Sequence, residues 1–190
     1  MSIISCNCHG LGNPWAFQFI KDLVVQKRPN FLFLCETLSK KDVVERLWVA
    51  IGFDGAFVVG VQGKSGGVAL LWRCSEEVHL LEYGLNYIDV SIEVIDHGKW
   101  RLTGLYGEPN RSLRRRTWEL LRNLKEKSSL SWCIIGDFNN VTSQQDKNGG
   151  NPYPNWLVNG FIEVLEDCGL YDLELNGYPF TWERGRGTVD

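Results

Sequence analysis

The sequence predicts a mixed α/β fold in which two packed β-sheets carry helices on their outer faces. Helices and strands alternate over the first 50 residues, strand patterns then dominate, and helical patterns return after residue 110. Hydrophobic residues make up 44% of the 190-residue chain, which is enough for a substantial core. This order of elements fits a pair of sheets with external helices best.

Each element in the first part of the chain has a local signal. The run 3–8 is apolar and strand-like, and Asn13 followed by Pro14 is typical of an N-cap and a first helical position. The helix that follows carries an apolar stripe at helical spacing, and Ser39 is placed to cap a second helix. The predicted elements here are strand 3–8, helix 15–27, strand 31–36 and helix 39–49.

The later part of the chain begins with strands and ends with helices. Residues 88–94 alternate apolar and polar side chains, as expected of a half-buried antiparallel strand. The predicted elements are strands 56–61, 68–72, 78–83, 88–94 and 99–106, helix 113–127, strand 132–137, helix 156–168 and a strand starting at 178. Because the chain stops at Asp190, soon after that strand begins, we expect one domain, 1–190, that is incomplete at its C-terminus and lacks its final strands.

Composition narrows the class of protein. The formal net charge is -3 and the isoelectric point is about 5.7, which excludes DNA binding through bulk positive charge and leaves local or metal-assisted contacts. The N-terminus lacks the basic and apolar regions of a signal peptide, and no run approaches the ~20 apolar residues of a membrane span. We therefore expect an intracellular protein that does not enter a membrane.

The six cysteines lie mostly in apolar runs. This is typical of buried, reduced thiols, so we expect no disulfides. A zinc site built from Cys6, Cys8 and His9 is the alternative. It is less favoured, because the chain offers no partner pair with CxxC spacing.

Polar side chains stand at the ends of four predicted strands. One strand ends in Asp137, with Asn139 two residues later, and residues i and i+2 of an extended segment point the same way. Other strands run into Asn7 and Glu36 or end at Tyr106. Hydrolysis of a phosphate ester with a hard cation needs such groups, because carboxylates bind Mg²⁺ and orient water while amides and hydroxyls contact phosphoryl oxygens.

Each of these residues has a simpler explanation when it is taken alone. Asp137 and Asn7 are ordinary turn formers after a strand, Glu36 is a surface acid at a strand end, and Tyr106 is half-buried core. The joint pattern favours the site, because four separate strand ends carry groups suited to one reaction.

Four short motifs carry a resemblance to a known family. They are residues 5–11, 34–37, 104–107 and 136–139. In this order they resemble the Asn, Glu, Tyr and Gly-Asp-Phe-Asn motifs of the endonuclease/exonuclease/phosphatase superfamily. Within that superfamily the chain is most similar to the apurinic-endonuclease-like domain of plant LINE-type (non-LTR) retrotransposons, through residues 66–72, 106–109 and 178–182.

This resemblance implies a deoxyribonuclease-like, four-layered α/β sandwich that depends on a divalent metal, Mg²⁺ or Mn²⁺. It also implies nicking of target DNA in the nucleus to prime reverse transcription, with a reverse-transcriptase domain in the full-length polyprotein. By the same likeness Glu36 and Asn7 hold the metal, Tyr106 contacts phosphate, and Asp137 and Asn139 handle water and phosphoryl oxygens.

The sequence departs from the family pattern near its C-terminal end. The family carries a further Asp and a Ser-Asp-His run there, whereas His9, His79 and His97 all precede Asp137. A positioned acid or base contributes typically about 10²–10⁴-fold to a rate, so we expect this chain to be inactive or nearly so. A phosphatase or phosphodiesterase acting on lipid or inositol phosphates, and a non-catalytic remnant, stand as alternatives.

Four further residues are candidates for substrate contacts. Arg114 and Arg115 belong to a basic cluster at a helix start, which is either a solvated helical face or a phosphate-contacting edge. Cations are unfavourable at a helix N-terminus, which adds weight to the second interpretation. Ser65 lies in a glycine-rich loop without P-loop spacing that we expect near the substrate, and Trp182 lies in the motif 178–182.

Overall fold

The computed structural model describes residues 1–61, 66–73, 77–94 and 98–173. Within this part the chain forms two compact units, one made of Met1–Gly107 with Ser129–Phe138, the other of Glu108–Ser128 with the residues from Asn139 onward. In chain order the elements are β1 (Ile3–Asn7), α1 (Pro14–Lys27), β2 (Phe31–Cys35), α2 (Lys41–Ile51), β3 (Gly55–Val59), β4 (Val68–Trp72), β5 (Glu77–Gly84), β6 (Tyr87–Val94), β7 (Gly98–Tyr106), α3 (Arg115–Glu126), β8 (Trp132–Asp137) and α4 (Asn155–Cys168).

Two mixed sheets of four strands each make up the first unit. The order in one sheet is β1-β2-β4-β3, with β1 and β2 parallel and the other neighbours antiparallel. The order in the other is β5-β6-β7-β8, with β7 and β8 parallel and the rest antiparallel. The predicted fold class, two mixed sheets flanked by helices, is confirmed.

The strand β2 lies at the centre of the core, because every one of its five residues is buried. Alternate side chains serve two clusters. Phe31 and Phe33 pack in the cluster that includes the apolar face of β6. Leu32 and Leu34 pack in the cluster that includes Ile20 and other apolar residues of α1 and α2. A strand that is covered on both faces reads as a continuous apolar run, which is the pattern the sequence shows.

The sheets approach each other closely at Gly104 on β7. A Cβ atom at this position would lie 2.2 Å from the ring of Phe33 on β2. Only glycine allows the ring to sit against the backbone, so this pair sets the local spacing of the sheets just before β7 ends at Tyr106.

The second sheet carries a buried polar network. The carboxylate of Asp89 accepts bonds from Arg101 Nε at 2.9 Å and Nη2 at 2.8 Å, and from the Thr103 hydroxyl at 2.7 Å. Asp89 and Arg101 are each 1% exposed. The indole of Trp132 donates to the Thr103 oxygen at 2.7 Å. The network therefore ties β6, β7 and β8 together through fully desolvated charges.

The helix boundaries follow the predicted signals with two differences. Asn13 caps α1 as predicted, since its side-chain oxygen accepts from the Trp15 N–H at 3.0 Å. The prediction that Ser39 caps the second helix is wrong, because α2 starts at Lys41 and its N-cap is Lys40, which makes no side-chain cap bond. The predicted helix 113–127 is α3, and it starts only after a 3-10 turn capped by Asn110.

The second unit is built on α3 and α4. The ring of Trp118 on α3 packs against Gly160 on α4, where a Cβ atom would lie 2.6 Å from the ring. Arg122 and Asp167 form an ion pair at 2.7 Å. The predicted final strand from 178 lies outside the described residues, as do Ser65 and Trp182.

Two sequence expectations concern the chain as a whole. The five cysteines in the described part are free thiols. Among the described residues, no helix has both the length and the apolar character needed to cross a bilayer.

Candidate active site

The site is built where two pairs of parallel strands end. In the first sheet the register places Asn7, the last residue of β1, beside Cys35, the last residue of β2. In the second sheet Tyr106 and Asp137 are register partners at the ends of β7 and β8. Each pair of parallel strands therefore delivers its C-terminal polar groups to a common edge.

Two hydrogen bonds join these edges across the sheets. The Asn7 amide donates from Nδ2 to Asp137 Oδ2 at 3.0 Å. The Tyr106 hydroxyl donates to Glu36 Oε1. With the two strand registers, these bonds close a ring of four predicted site residues: Asn7, Asp137, Tyr106 and Glu36. The convergence expected from the sequence is present for these four.

A fifth side chain, His9, also contacts the ring, and the sequence pattern did not predict it. Its Nδ1 lies 2.9 Å from Glu36 Oε2, and its backbone N–H donates to Asn7 Oδ1 at 3.2 Å. For His9 the sequence offers only the less favoured zinc site with Cys6 and Cys8. That alternative is disfavoured by the geometry, since Cys8 is buried in the α1–α2 cluster while the His9 imidazole is 65% exposed and faces Glu36.

The loop that carries Glu36 is held in an unusual backbone conformation. Glu36 has a φ of 49°, in the left-handed region that non-glycine residues seldom occupy. The carbonyls of Gly67 and Gly66 accept the next two N–H groups, those of Thr37 at 3.1 Å and Leu38 at 3.2 Å. A Cβ atom on Gly67 would lie 2.2 Å from the Thr37 hydroxyl, so the glycine pair supports the Glu36 loop. That the glycine-rich loop lies near the substrate stays a prediction.

Tyr106 is fixed through its own backbone. Its N–H donates to the Asn86 carbonyl at 2.7 Å, and the Asn86 amide donates to the Tyr106 carbonyl at 2.8 Å. The next N–H, that of Gly107, donates to the Asp137 carbonyl at 2.7 Å. Because the backbone is held on both sides, the phenol reaches Glu36 without depending on a mobile loop.

The carboxylates of Asp137 and Glu36 give the site a negative charge, and a buried thiol lies beside them. Burial, followed by the charges of Asp137 and Glu36, raises the pKa of Cys35 to about 12. A cation bound between these carboxylates would relieve their mutual repulsion. The donors available are carboxylate, amide and phenol oxygens, which suit a hard divalent cation such as Mg²⁺ or Mn²⁺.

Known proteins share both the sequence pattern and the fold of this chain. The family model described as endonuclease/exonuclease/phosphatase family matches residues 4–190. The chain belongs to this family. No curated protein sequence gives a significant match.

Several solved structures share the fold of this chain at low sequence identity. The endonuclease domain of TRAS1, a telomere-specific non-LTR retrotransposon, aligns with a TM-score of 0.66 and 14% identity over 92% of this chain and 73% of that one. An AP endonuclease from Archaeoglobus fulgidus aligns with a TM-score of 0.68 and 15% identity, over 87% and 70% of the two chains. The AP endonuclease of Leishmania major gives 0.64 and 14%, over 88% and 66%.

Asn139 lies in the second unit. The spacing of i and i+2 places it beside Asp137 only in an extended segment, but β8 ends at Asp137 and Asn139 has a φ of 54°. The alternation of an extended strand therefore does not reach it. Its carbonyl accepts a bond from the Tyr153 hydroxyl at 3.1 Å, which fixes its backbone within that unit. Its predicted contact with phosphoryl oxygens stays a prediction.

The two arginine candidates differ in their surroundings. Arg114 is only 6% exposed, and its guanidinium lies 5.5 Å from the centre of the Tyr153 ring, so for this residue the interpretation as a solvated helical face is wrong. Arg115 is exposed and lines a groove of about 450 Å³ between α3 and α4, together with Trp156. A phosphate contact by either residue stays a prediction.

A second group of possible metal ligands lies far from the ring. The ligand atoms of Glu77, His79 and Glu93 are within 4.8 Å of one another, on exposed positions of β5 and β6. Tyr87 on β6 pairs with the residue that precedes Tyr106 on β7, and Glu93 lies six residues further along β6. The cluster of Glu77, His79 and Glu93 is therefore about 20 Å from the ring. Exposed acidic groups of this kind are common on protein surfaces, but any measurement of metal binding has to separate the two places.

Proposed function

We propose that this chain carries the site of a divalent-metal-dependent endonuclease that nicks target DNA for a LINE-type retrotransposon. We expect little or no nicking by the chain itself, because His9, His79 and His97 all precede Asp137 and none matches the histidine of the family's Ser-Asp-His run. The observation that carries the proposal is the closed ring of Asn7, Asp137, Tyr106 and Glu36 at the shared edge of two sheets. Membership of a family of endonucleases, exonucleases and phosphatases supports phosphoester hydrolysis. The fold likeness to the TRAS1 endonuclease domain supports the retrotransposon role.

Glu36 is the group best suited to hold the metal, with Asn7 beside it. Mg²⁺ binds proteins through one or two carboxylates and keeps several waters, so a single well-placed glutamate is a sufficient anchor. A bound divalent cation supplies Lewis-acid neutralisation of the phosphoryl oxygens. In this structure the Asn7 amide is engaged by Asp137 and by the His9 N–H, which favours an orienting role for it.

Asp137 is the group best suited to direct the attacking water. Its carboxylate is oriented by the Asn7 amide through Oδ2, so its direction is fixed relative to Glu36 on the other side of the ring. The Tyr106 hydroxyl is within reach of the same space and would donate to a phosphoryl oxygen when a substrate displaces it from Glu36. Asn139 is proposed as a second donor to the phosphoryl group.

The wider setting follows from the same likeness. A nicking domain for a retrotransposon acts on nuclear DNA beside a reverse-transcriptase domain of the same polyprotein, and DNA is then its principal partner. Exposed Arg115 is the better candidate for a phosphate contact, because Arg114 is largely desolvated by its own unit.

The test combines binding with cleavage, so that it does not depend on turnover alone. Binding of a fluorescent DNA duplex is measured by anisotropy with Mg²⁺, Mn²⁺ or EDTA, and nicking of supercoiled plasmid is followed in parallel. We expect the duplex to bind more tightly with metal and nicking by the wild type to be slow or absent. We expect Glu36→Gln and Asp137→Asn to lose the metal-dependent gain in binding. The matched control is Glu45→Gln on α2. The Glu45 carboxylate makes an exposed i,i+4 ion pair with Lys41, so this variant should leave both readouts unchanged.

Two outcomes would overturn the proposal. Equal metal-dependent DNA binding by the wild type and Glu36→Gln would remove Glu36 from the site. Metal-dependent hydrolysis of inositol phosphates without any binding of duplex DNA would assign the ring to the phosphatase alternative within the same family.

A further inference from the structure

We infer that His9 is a positioning residue that holds the Glu36 carboxylate in the orientation needed to bind a divalent cation. The inference rests on the proposed function, because it assigns His9 a task at the proposed metal site. The two oxygens of Glu36 are held by different donors. The Tyr106 hydroxyl donates to Oε1, and the imidazole Nδ1 of His9 lies 2.9 Å from Oε2.

The backbone around His9 is organised to make this contact. His9 has a φ of 44° and Glu36 a φ of 49°, so both residues occupy the left-handed region that non-glycine residues seldom adopt. The two turns are joined by the N–H groups of Gly10 and Leu11, which donate to the carbonyls of Glu36 and Thr37 at 2.9 Å and 2.8 Å. Strained backbone that persists in two facing turns, with the side chains meeting between them, indicates a functional constraint.

The contact leaves Glu36 able to bind a cation. Each carboxylate oxygen has two lone-pair sites, so a donor on each oxygen still leaves one site per oxygen. The donors fix the plane of the carboxylate, which would otherwise rotate, since the Glu36 side chain is 22% exposed. Hydrogen-bond partners of ligating groups are worth typically about 10–100-fold in metal affinity.

A surface ion pair is the competing explanation for the same distance. The His9 side chain is 65% exposed, and exposed pairs of this kind contribute little to stability. The two explanations differ in what they predict for metal affinity. A surface pair has no effect on it, whereas a positioning residue controls it without changing the stability of the fold.

The test is a set of Mn²⁺ titrations, followed by electron paramagnetic resonance, of the full 190-residue chain and its variants. His9→Gly removes the imidazole, and glycine tolerates the positive φ. His9→Asn also tolerates the positive φ, and its amide places an N–H donor near the position of Nδ1. We expect His9→Gly to raise the Kd for Mn²⁺ at least about tenfold and His9→Asn to stay within about threefold of the wild type. Both variants should unfold at the same temperature. His79→Ala, which removes an exposed histidine from the distant Glu77 group, should leave the Kd of the Glu36 site unchanged.

The outcomes separate this inference from the proposed function. If Glu36→Gln abolishes Mn²⁺ binding but His9→Gly does not weaken it, His9 has no positioning role and the proposed function stands. A positioning role for His9 is equally excluded if His9→Asn binds as poorly as His9→Gly. If Glu36→Gln binds Mn²⁺ as tightly as the wild type, the metal site itself, and with it the proposed function, is lost.

Discussion

Replacing Asp89 by Asn should destabilise the protein by about 3 kcal/mol. Asp89 and Arg101 are each 1% exposed, so the substitution leaves a buried guanidinium without the carboxylate that neutralises it. Removing one partner of a buried pair costs about 3–5 kcal/mol. We place the effect at the lower end because the remaining amide oxygen still accepts one bond, and because the guanidinium also lies 4.6 Å from the Trp132 ring.

Urea unfolding followed by far-UV circular dichroism measures this loss. With a denaturant slope of about 2 kcal/mol per molar, a loss of about 3 kcal/mol lowers the midpoint by roughly 1.5 M. The matched control is Asp42→Asn on α2, whose carboxylate is 66% exposed and 4.0 Å from Arg46. An exposed pair of this kind should contribute less than about 1 kcal/mol.

A double variant that removes both charges of the buried pair provides a second test. Replacing Asp89 by Leu and Arg101 by Met together removes both charges, and Trp132 and Thr103 keep the bond that they make to each other. Apolar replacement of a whole buried pair is often neutral or stabilising, so the double variant should recover most of the loss. A loss below about 1 kcal/mol for Asp89→Asn, or a double variant less stable than the single one, would refute this account of the network.

Three further predictions concern the site and the core around it. Tyr106→Phe keeps the ring but removes the hydroxyl that donates to the glutamate, so the Kd for Mn²⁺ should rise about tenfold in a titration, and an unchanged Kd would contradict this role. Gly104→Ala should cost about 1–3 kcal/mol in urea unfolding, because the added methyl meets the Phe33 ring at 2.2 Å. The control Gly60→Ala should cost less, because its methyl meets no atom of the described residues within 4 Å. Burial and the neighbouring carboxylates raise the pKa of Cys35 from 9.0 to about 12, so the contribution of this thiol to stability is complete below pH 9 and falls by up to ~4 kcal/mol as the pH rises to 12. The free energy of unfolding, measured between about pH 7.5 and 10.5, should therefore depend less on pH in Cys35→Ala than in the wild type. An unchanged slope would exclude the thiol as the cause.

The parts of the fold that the sequence predicted correctly are those decided by short-range patterns. The continuous apolar run of β2 reflects burial on both faces, and the alternation in β6 reflects a buried face that packs on β2. Strand ends were predictable for the same reason, because Asn7, Glu36 and Asp137 interrupt apolar runs. Their convergence depends in addition on two parallel strand pairs, β1 with β2 and β7 with β8, that end at a common edge.

The parts that the sequence did not predict depend on backbone conformation and tertiary contacts. The spacing from Asp137 predicts an extended segment at Asn139, but its φ of 54° is set by a turn that local composition does not specify. The burial of Arg114 depends on Tyr153, which lies far along the chain from it. His9 carries no such signal either, because β1 ends at Asn7 and the φ of 44° at His9 lies outside the alternation of an extended strand.

The spacing of the two sheets is the property on which the site depends most. Asn7 and Glu36 belong to one sheet and its loops, Tyr106 and Asp137 to the other, so the distances across the ring follow the distance between the sheets. Gly104 sets that distance two residues before Tyr106. Gly104→Ala should therefore raise the Kd for Mn²⁺ even in urea-free buffer where the variant is fully folded, whereas Gly60→Ala should not. If a folded Gly104→Ala variant binds Mn²⁺ as tightly as the wild type, the loops alone fix the ring and the spacing of the sheets has no part in it.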